Sequence, residues 1–300
     1  MKNYYLTSES VTEGHPDKIC DKISDYILDE ALKQDKNSKM AVEATIKDDL
    51  ILIYGEATTN AKLNYEQLAK QVLKEIGYTE EYNVIVKVNK QSIEINNAVN
   101  KDKIMAGDQG IMFGYATNET KEYMPLTILL ANKLAKRLTD VRKQAKDSIL
   151  RPDGKTQVTI EYEDDLPKRV DTIIIASQHK ENIDYEELKK LIIDEVIKPI
   201  IPKDLLDKNT KILINTSGKF TIGGSFGDSG TTGRKIVADT YGGIGKVGGG
   251  CFSSKDPSKV DRSGAYYARY VAKNIVAHNL ADKCEIELAY AIGKEYPISV

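Results

Sequence analysis

Cysteine is scarce in this chain: Cys20, Cys251 and Cys284 are an odd number with no CxxC spacing. That argues against a disulfide framework or a zinc site and suits a reducing compartment, the cytoplasm by default. An excess of charge is also missing, with 43 Lys plus Arg against 45 Asp plus Glu and a formal charge of -2. Nothing global attracts nucleic acid or anionic lipid, so neither is an expected partner. Long apolar runs are absent too. The N-terminal residues 1–8 hold no apolar signal core, and the most apolar run, residues 126–135, is interrupted and too short to span a bilayer. The chain reads as a mature, soluble protein with no membrane partner. Its 300 residues and 41% apolar content allow a substantial core, in one large domain or two to three smaller ones.

The pattern along the chain is α/β, of the α+β kind. A helix is predicted over 16–33, with Ile19, Ile23 and Ile27 on one face and Pro16 in its first turn. Strands follow at 41–47 and 50–56. A two-residue Asp48-Asp49 turn would put Val42, Ala44, Ile46, Ile51 and Ile53 on one face and Glu43, Tyr54 and Glu56 on the other. A helix at 65–76 and a strand at 83–88 complete a helix, hairpin, helix, strand unit. The same order returns as helix 123–143, strands 156–162 and 170–177, helix 185–197 and strand 211–215. A third round starts with helix 263–279 and strand 285–292 and then stops at Val300. The expectation is three intertwined repeated units, the third incomplete, with a frayed end, a covered edge or a missing polypeptide there. A small accessory element that was never a repeat is the other reading. The divisions are 1–115 with a loop at 89–101, 116–217, and 218–300.

What the chain has in abundance is glycine in one place. Between Gly218 and Gly250 stand 12 glycines in 33 residues, a density that lets backbone N–H groups approach an anion. Residues 211–262 hold eight basic and four acidic side chains and no Glu. Lys219, Arg234, Lys235, Lys246, Lys255 and Lys259 are candidates to neutralise a triphosphate; the alternative is a flexible, solvated basic loop. Two standard phosphate motifs fit poorly. Asp153-Gly154-Lys155-Thr156 resembles the end of a P-loop, but Ile149 stands where its first glycine belongs. Gly243, Gly245 and Gly248 satisfy GxGxxG, but a polar stretch with Pro257 follows where a helix should start. His15 and Asp17 flank Pro16 at a helix start, where free N–H groups favour a phosphate. Asp17 can offer Mg²⁺ a hard oxygen, and His15 can donate to a leaving oxygen or simply cap the helix. His179 and His278 read as structural.

Five segments carry a resemblance. They are Thr7-Ser8-Glu9-Ser10-Val11 through Gly14-His15-Pro16-Asp17-Lys18, residues 107–117 (GDQGIMFGYAT), residues 151–155 (RPDGK), Gly227-Asp228-Ser229-Gly230 through Gly233-Arg234-Lys235, and residues 248–262 (GGGCFSSKDPSKVDR). Together they resemble the S-adenosylmethionine synthetases, or methionine adenosyltransferases, over nearly the whole chain. The resemblance implies that methionine sulfur displaces triphosphate from the 5′ carbon of ATP, and that the triphosphate is cleaved to phosphate and pyrophosphate. A thioether is already nucleophilic, so alignment and charge neutralisation are the enzyme's main tasks. By matching motif, His15 would assist triphosphate departure, with Lys155, Arg234 and Lys255 as further catalytic groups. Asp17 and Asp261 would hold Mg²⁺ and Glu43 would hold K⁺. Asp108, Asp153, Lys155, Lys219, Phe220, Arg234, Lys235, Cys251 and Lys255 would contact ATP, Cys251 by its backbone. Glu56, Gln91, Asp228, Lys259 and Ile292 would surround methionine, Asp228 also near the nucleotide.

The family's sites lie between two subunits, which implies at least a homodimer. Two departures stand out: the loop at 89–101 has Ile93 and Ala98 in place of the usual Pro and Gly, and the chain stops where the family continues through most of the third repeat. A loop so changed implies altered gating and kinetics. The stop leaves open a shortened active enzyme, a half that needs a separate C-terminal fragment, and a non-catalytic ATP-binding partner of a full-length synthetase.

Overall fold

A computed structural model describes residues 3–90 and 105–300. Gln91, Ile93, Ala98 and all of the loop read at 89–101 beyond Lys90 lie outside the described residues. The first element is a strand, β1 (Asn3–Val11), in a segment too polar to announce itself. It leads through a tight turn into α1 (Pro16–Gln34), whose Ile19, Ile23 and Ile27 are fully buried. The hairpin β2 (Lys39–Lys47) and β3 (Leu50–Thr58) turns at Asp48-Asp49, with Asp48 left-handed at φ 50°. Its register pairs Ala44 with Ile53 and Glu43 with Tyr54. Val42, Ala44, Ile46, Ile51 and Ile53 therefore share the face that α1 covers, each 1% exposed or less. Next come α2 (Tyr65–Ile76), capped by Asn64 and ended by left-handed Gly77, and β4 (Asn83–Asn89), parallel to β3.

After β5 (Gly110–Thr117), α3 (Leu126–Gln144) begins three residues later than its sequence pattern predicts. Pro125 disfavours helical backbone at Met124, and Tyr123 is left-handed at φ 57°. The hairpin β6 (Leu150–Glu163) and β7 (Leu166–His179) is about twice the predicted length. Then α4 (Tyr185–Leu191) runs on into a π-helical turn at Ile192–Ile197, and β8 (Lys211–Ile214) lies parallel to β7. A two-residue strand, β9 (Gly230–Thr231), and a single helical turn, α5 (Ile236–Asp239), lie within the glycine-rich stretch. The last elements are α6 (Val260–Ala277) and β10 (Lys283–Tyr290), each shifted two or three residues N-terminal of expectation.

These strands form three sheets, ordered β1-β6-β7-β8, β4-β3-β2-β9 and β10-β5. The sheets trade strands between distant parts of the chain. The N-terminal β1 joins the middle hairpin, β9 from the late glycine-rich stretch joins the first, and β5 pairs with β10. Two large apolar cores result, one under α1 and α2 and one between α3, α4 and the β6–β7 sheet. The edge of β10 that the sequence left without a partner has β5 on one side, and Ala289 exchanges backbone bonds with Ser299 and Ile298 near the tail. Among the described residues no helix is long and apolar enough to cross a membrane.

Candidate active site

The turn between β1 and α1 is built tightly enough to aim side chains. The Thr12 hydroxyl donates to the Pro152 carbonyl at 2.7 Å and its backbone N–H to that of Gly154 at 2.9 Å. Gly14 is pressed so closely on Pro152 that a Cβ would stand 2.4 Å from it, and the Tyr78 hydroxyl donates to its carbonyl at 2.7 Å. His15, 3% exposed, caps α1: its Nδ1 accepts the Asp17 N–H at 3.2 Å. An accepting Nδ1 leaves the ring proton on Nε2. Burial first, then the charges of Lys235 and Lys155, lower the His15 pKa to about 4, so the imidazole is neutral at physiological pH.

Asp17, two residues on, is 1% exposed and ties α1 to the glycine-rich segment. Its Oδ1 accepts the Thr231 N–H at 3.0 Å and faces Arg234 Nε at 3.4 Å, while Oδ2 accepts from Lys235 Nζ at 2.7 Å. Burial pushes this carboxyl up, but Lys235, Thr231 and Arg234 outweigh it and hold the pKa below the ordinary value. Further acids clamp the same segment. Asp21 accepts the Gly233 N–H at 2.8 Å, Lys18 bridges Asp21 and Asp239, and Asp25 binds Ser253, Ser254 and Arg262. Gly230 passes over the start of α1 with room for nothing larger, since a Cβ would meet the Pro16 carbonyl at 2.1 Å. The segment is thus a fixed wall rather than a solvated loop.

Asp153 stands near the start of β6, where the pairing with β7 is irregular between Leu150 and Gly154, so the DGKT run lies in a strand and not in a P-loop. Its Oδ2 accepts the Gly224 N–H at 2.8 Å, while its buried Oδ1 has no hydrogen-bond partner among the described residues. Burial raises this carboxyl to about 6, against the opposing pull of Gly224 and Lys155. An unsatisfied buried oxygen beside a glycine-rich turn marks a place where a ligand group is wanted. Glu43, half-buried on β2, accepts from the Tyr54 hydroxyl at 3.4 Å and lies 4.0 Å from Cys251 Sγ. Burial raises the Cys251 thiol, so it packs as a neutral group beneath Gly233, where an added Cβ would sit 2.3 Å from Cys251 Cβ and 3.1 Å from its Sγ. Lys255 pairs with Asp261, and Lys255 also bridges to Ala41, the residue opposite Glu56 in the β2–β3 ladder.

The structure thus gathers His15, Asp17, Asp153, Lys155, Asp228, Arg234 and Lys235 around one end of α1, with Glu43, Cys251, Lys255, Asp261 and Glu56 along β2. Lys219 and Asp108 are exposed, and Phe220 is half-buried. Lys246 faces Glu285 at 3.1 Å and lines a cavity that Asp261 also lines. Lys259 is engaged at 3.0 Å by Asp256, a fully buried carboxylate that also accepts the Met40 and Ser258 N–H groups. Sequence reasoning passed over Asp256; the only signal was an acid in a basic stretch. Ile292 lies beyond β10 and is 42% exposed. Among the described residues no three His, Cys, Asp or Glu side chains gather into a metal cage. Asp17 and Asp261 each offer hard oxygens beside lysines that favour phosphate, which suits a cation that completes its shell with phosphate oxygens.

Three models of one family match in succession: the S-adenosylmethionine synthetase N-terminal domain over residues 3–103, the central domain over 103–220 and the C-terminal domain over 222–300. The chain belongs to the S-adenosylmethionine synthetase family. Among its relatives, the S-adenosylmethionine synthases of Desulfosudis oleivorans and Brachyspira hyodysenteriae are each 51% identical, over 312 and 319 aligned residues, and that of Finegoldia magna is 50% identical over 320. All of this chain is covered in each comparison, and 80%, 81% and 82% of the respective relatives.

Proposed function

We propose that the protein makes S-adenosylmethionine from ATP and L-methionine. A sulfur lone pair forms the S–C5′ bond as the C5′–O bond breaks, and the departing triphosphate is then hydrolysed to phosphate and pyrophosphate. The observation that carries this reading is the neutral His15 at the positive end of α1, next to Lys155, Arg234 and Lys235. The Nε2–H can donate to the leaving oxygen without first losing a charge, and the helix N-terminus and the three cations favour the triphosphate that forms. Lys255 adds a fourth cation. The Asp153 carboxyl, whose Oδ1 has no partner among the described residues, and the residues around Phe220 take the nucleoside side with Asp108 and the Cys251 backbone. Glu56, Asp228, Lys259 and Ile292, with Gln91, take methionine. Mg²⁺ on Asp17 and Asp261, when bound, neutralises phosphate charge, and K⁺ at Glu43 adds a second, weaker positive field.

The runs α1-β2-β3-α2-β4 and α3-β6-β7-α4-β8 are repeats of one unit, α6 and β10 belong to a third round, and the divisions fall near residues 115 and 217. Two copies complete each other's sites in at least a homodimer in the cytoplasm. Matches to all three family models leave the reading as a non-catalytic partner without favour. The deciding experiment incubates the purified chain with ATP, methionine, Mg²⁺ and K⁺ and looks for S-adenosylmethionine by mass spectrometry. Product at turnover rates supports the proposal; ATP binding with no product sinks it.

A further inference from the structure

We infer that His179, at the end of β7, is a positioning residue for the nucleotide: together with Gln178 it latches residues 219–224 to the sheet and so sets where Lys219, Phe220 and the Gly224 N–H stand. The inference rests on the proposed nucleotide role of that segment. Residues 219–223 have no regular structure of their own, and a 3-10 turn begins only at Gly224. After β8 the chain reverses through left-handed Asn215 and Gly218 and runs back past the end of β7. Each of the last three residues of β7 then grips it. Ser177 exchanges two bonds with the Asn215 side-chain amide, at 2.8 and 3.0 Å. Gln178 Nε2 donates to the Thr221 carbonyl at 3.0 Å, while Gln178 Oε1 accepts the Asp153 N–H at 3.3 Å. Gly223 packs against that same amide, where a Cβ would stand 2.7 Å from Gln178 Cδ.

His179 makes the most specific of these grips. Its backbone N–H donates to the Phe220 carbonyl at 2.9 Å, and its Nε2 accepts the Phe220 N–H at 3.1 Å. Both polar groups of one residue are thus held, one by main chain and one by imidazole. The ring can do this in a single tautomer only. A backbone carbonyl can only accept, so the 2.8 Å contact of Nδ1 with the Lys180 carbonyl puts the proton on Nδ1 and leaves Nε2 bare to receive Phe220. The residue is 5% exposed, so water does not replace either bond at once. The last of these hydrogen bonds falls on Thr221, three residues before the Gly224 N–H that Asp153 accepts, so the latch and the Asp153 carboxyl share one short backbone span. Displacement of this span matters, because nucleotide alignment is what such a site supplies.

The test compares His179→Gln, whose amide oxygen can reach the position of Nε2, with His179→Asn, which reaches only that of Nδ1, and with His179→Leu. Loss of the Nε2 bond in the Leu and Asn variants is expected to raise the KM for ATP about tenfold and leave that for methionine within about twofold, with most of the ATP effect restored in the Gln variant. Amide hydrogen exchange over 219–224 in the nucleotide-free protein is expected to speed up in the Leu and Asn variants and not in β6. Equal KM values for ATP in the Gln and Asn variants, parallel rises in both substrates' KM, or unchanged exchange at Phe220 would overturn the inference. Where the Leu variant does not fold, the Gln and Asn pair decides alone. If the unmodified chain makes no S-adenosylmethionine, the synthetase reading fails, and the exchange measurement still judges the latch.

Discussion

His15 and Asp153 are two buried titratable groups near one site, shifted in opposite senses. The fold lowers His15 from 6.5 to about 4, so the stability from its neutral form is full above pH 6.5 and lost as pH falls towards 4. Asp153 is raised from 3.8 to about 6, so its contribution is full below pH 3.8 and lost as pH rises through 6. Each amounts to about 3 kcal/mol over nearly the same window, and the two slopes largely cancel. Asp153→Asn removes one slope. The melting temperature of that variant is expected to climb more steeply between pH 4 and 6.5 than that of the unmodified protein, as calorimetry in a pH series would read. For His15 the informative change is to serine, which still caps α1 but cannot reach a leaving oxygen. His15→Ser is expected to lower kcat by about 10² to 10³ with little change in unfolding midpoint, measured as S-adenosylmethionine formed per second.

At the scale of elements, packing distances decide what the chain tolerates. Helix α6 lies directly on β5 because Gly114 meets the Ala268 backbone; a Cβ there would stand 2.0 Å from the Ala268 carbonyl carbon. Gly114→Ala is expected to destabilise the protein by about 1 to 3 kcal/mol through displacement of α6, visible as a lower urea midpoint. The third sheet is the place to see it, because its cores are small beside the two larger ones. Elements differed in how plainly they could be read. The β2–β3 hairpin was legible to the turn residue, because a buried face every second position leaves one workable register. Strand β1 was not legible: its Asn-Tyr-Tyr-Leu-Thr-Ser-Glu-Ser run alternates around a polar mean, and it is a strand because β6 supplies its ladder. Helix α4 was predicted as regular, yet it widens to a π-helical turn at Ile192–Ile197, a local choice that a 3.6-residue period does not reveal.

For the whole molecule, the proposed reaction demands that ATP and its cation be bound together. Carboxylates already paired with lysines bind a divalent ion weakly alone. ATP at about a hundred times its Kd is expected to stabilise the protein by about 2.7 kcal/mol when Mg²⁺ is present, and far less after chelation, as a thermal shift would record. Chelation should abolish product formation in the same sample. A glycine-rich, locally basic segment could be read from the sequence alone, because glycine density and local positive charge are properties of neighbouring residues. The sequence by itself determined the family too, through motifs that are contiguous. Only the tertiary structure decided that Lys235 is neutralised by Asp17, 218 positions away, that Asp256 holds Lys259, and that His179 grips Phe220. Those pairings depend on which distant segments the sheets bring side by side, and strands traded between three sheets leave no trace in local composition.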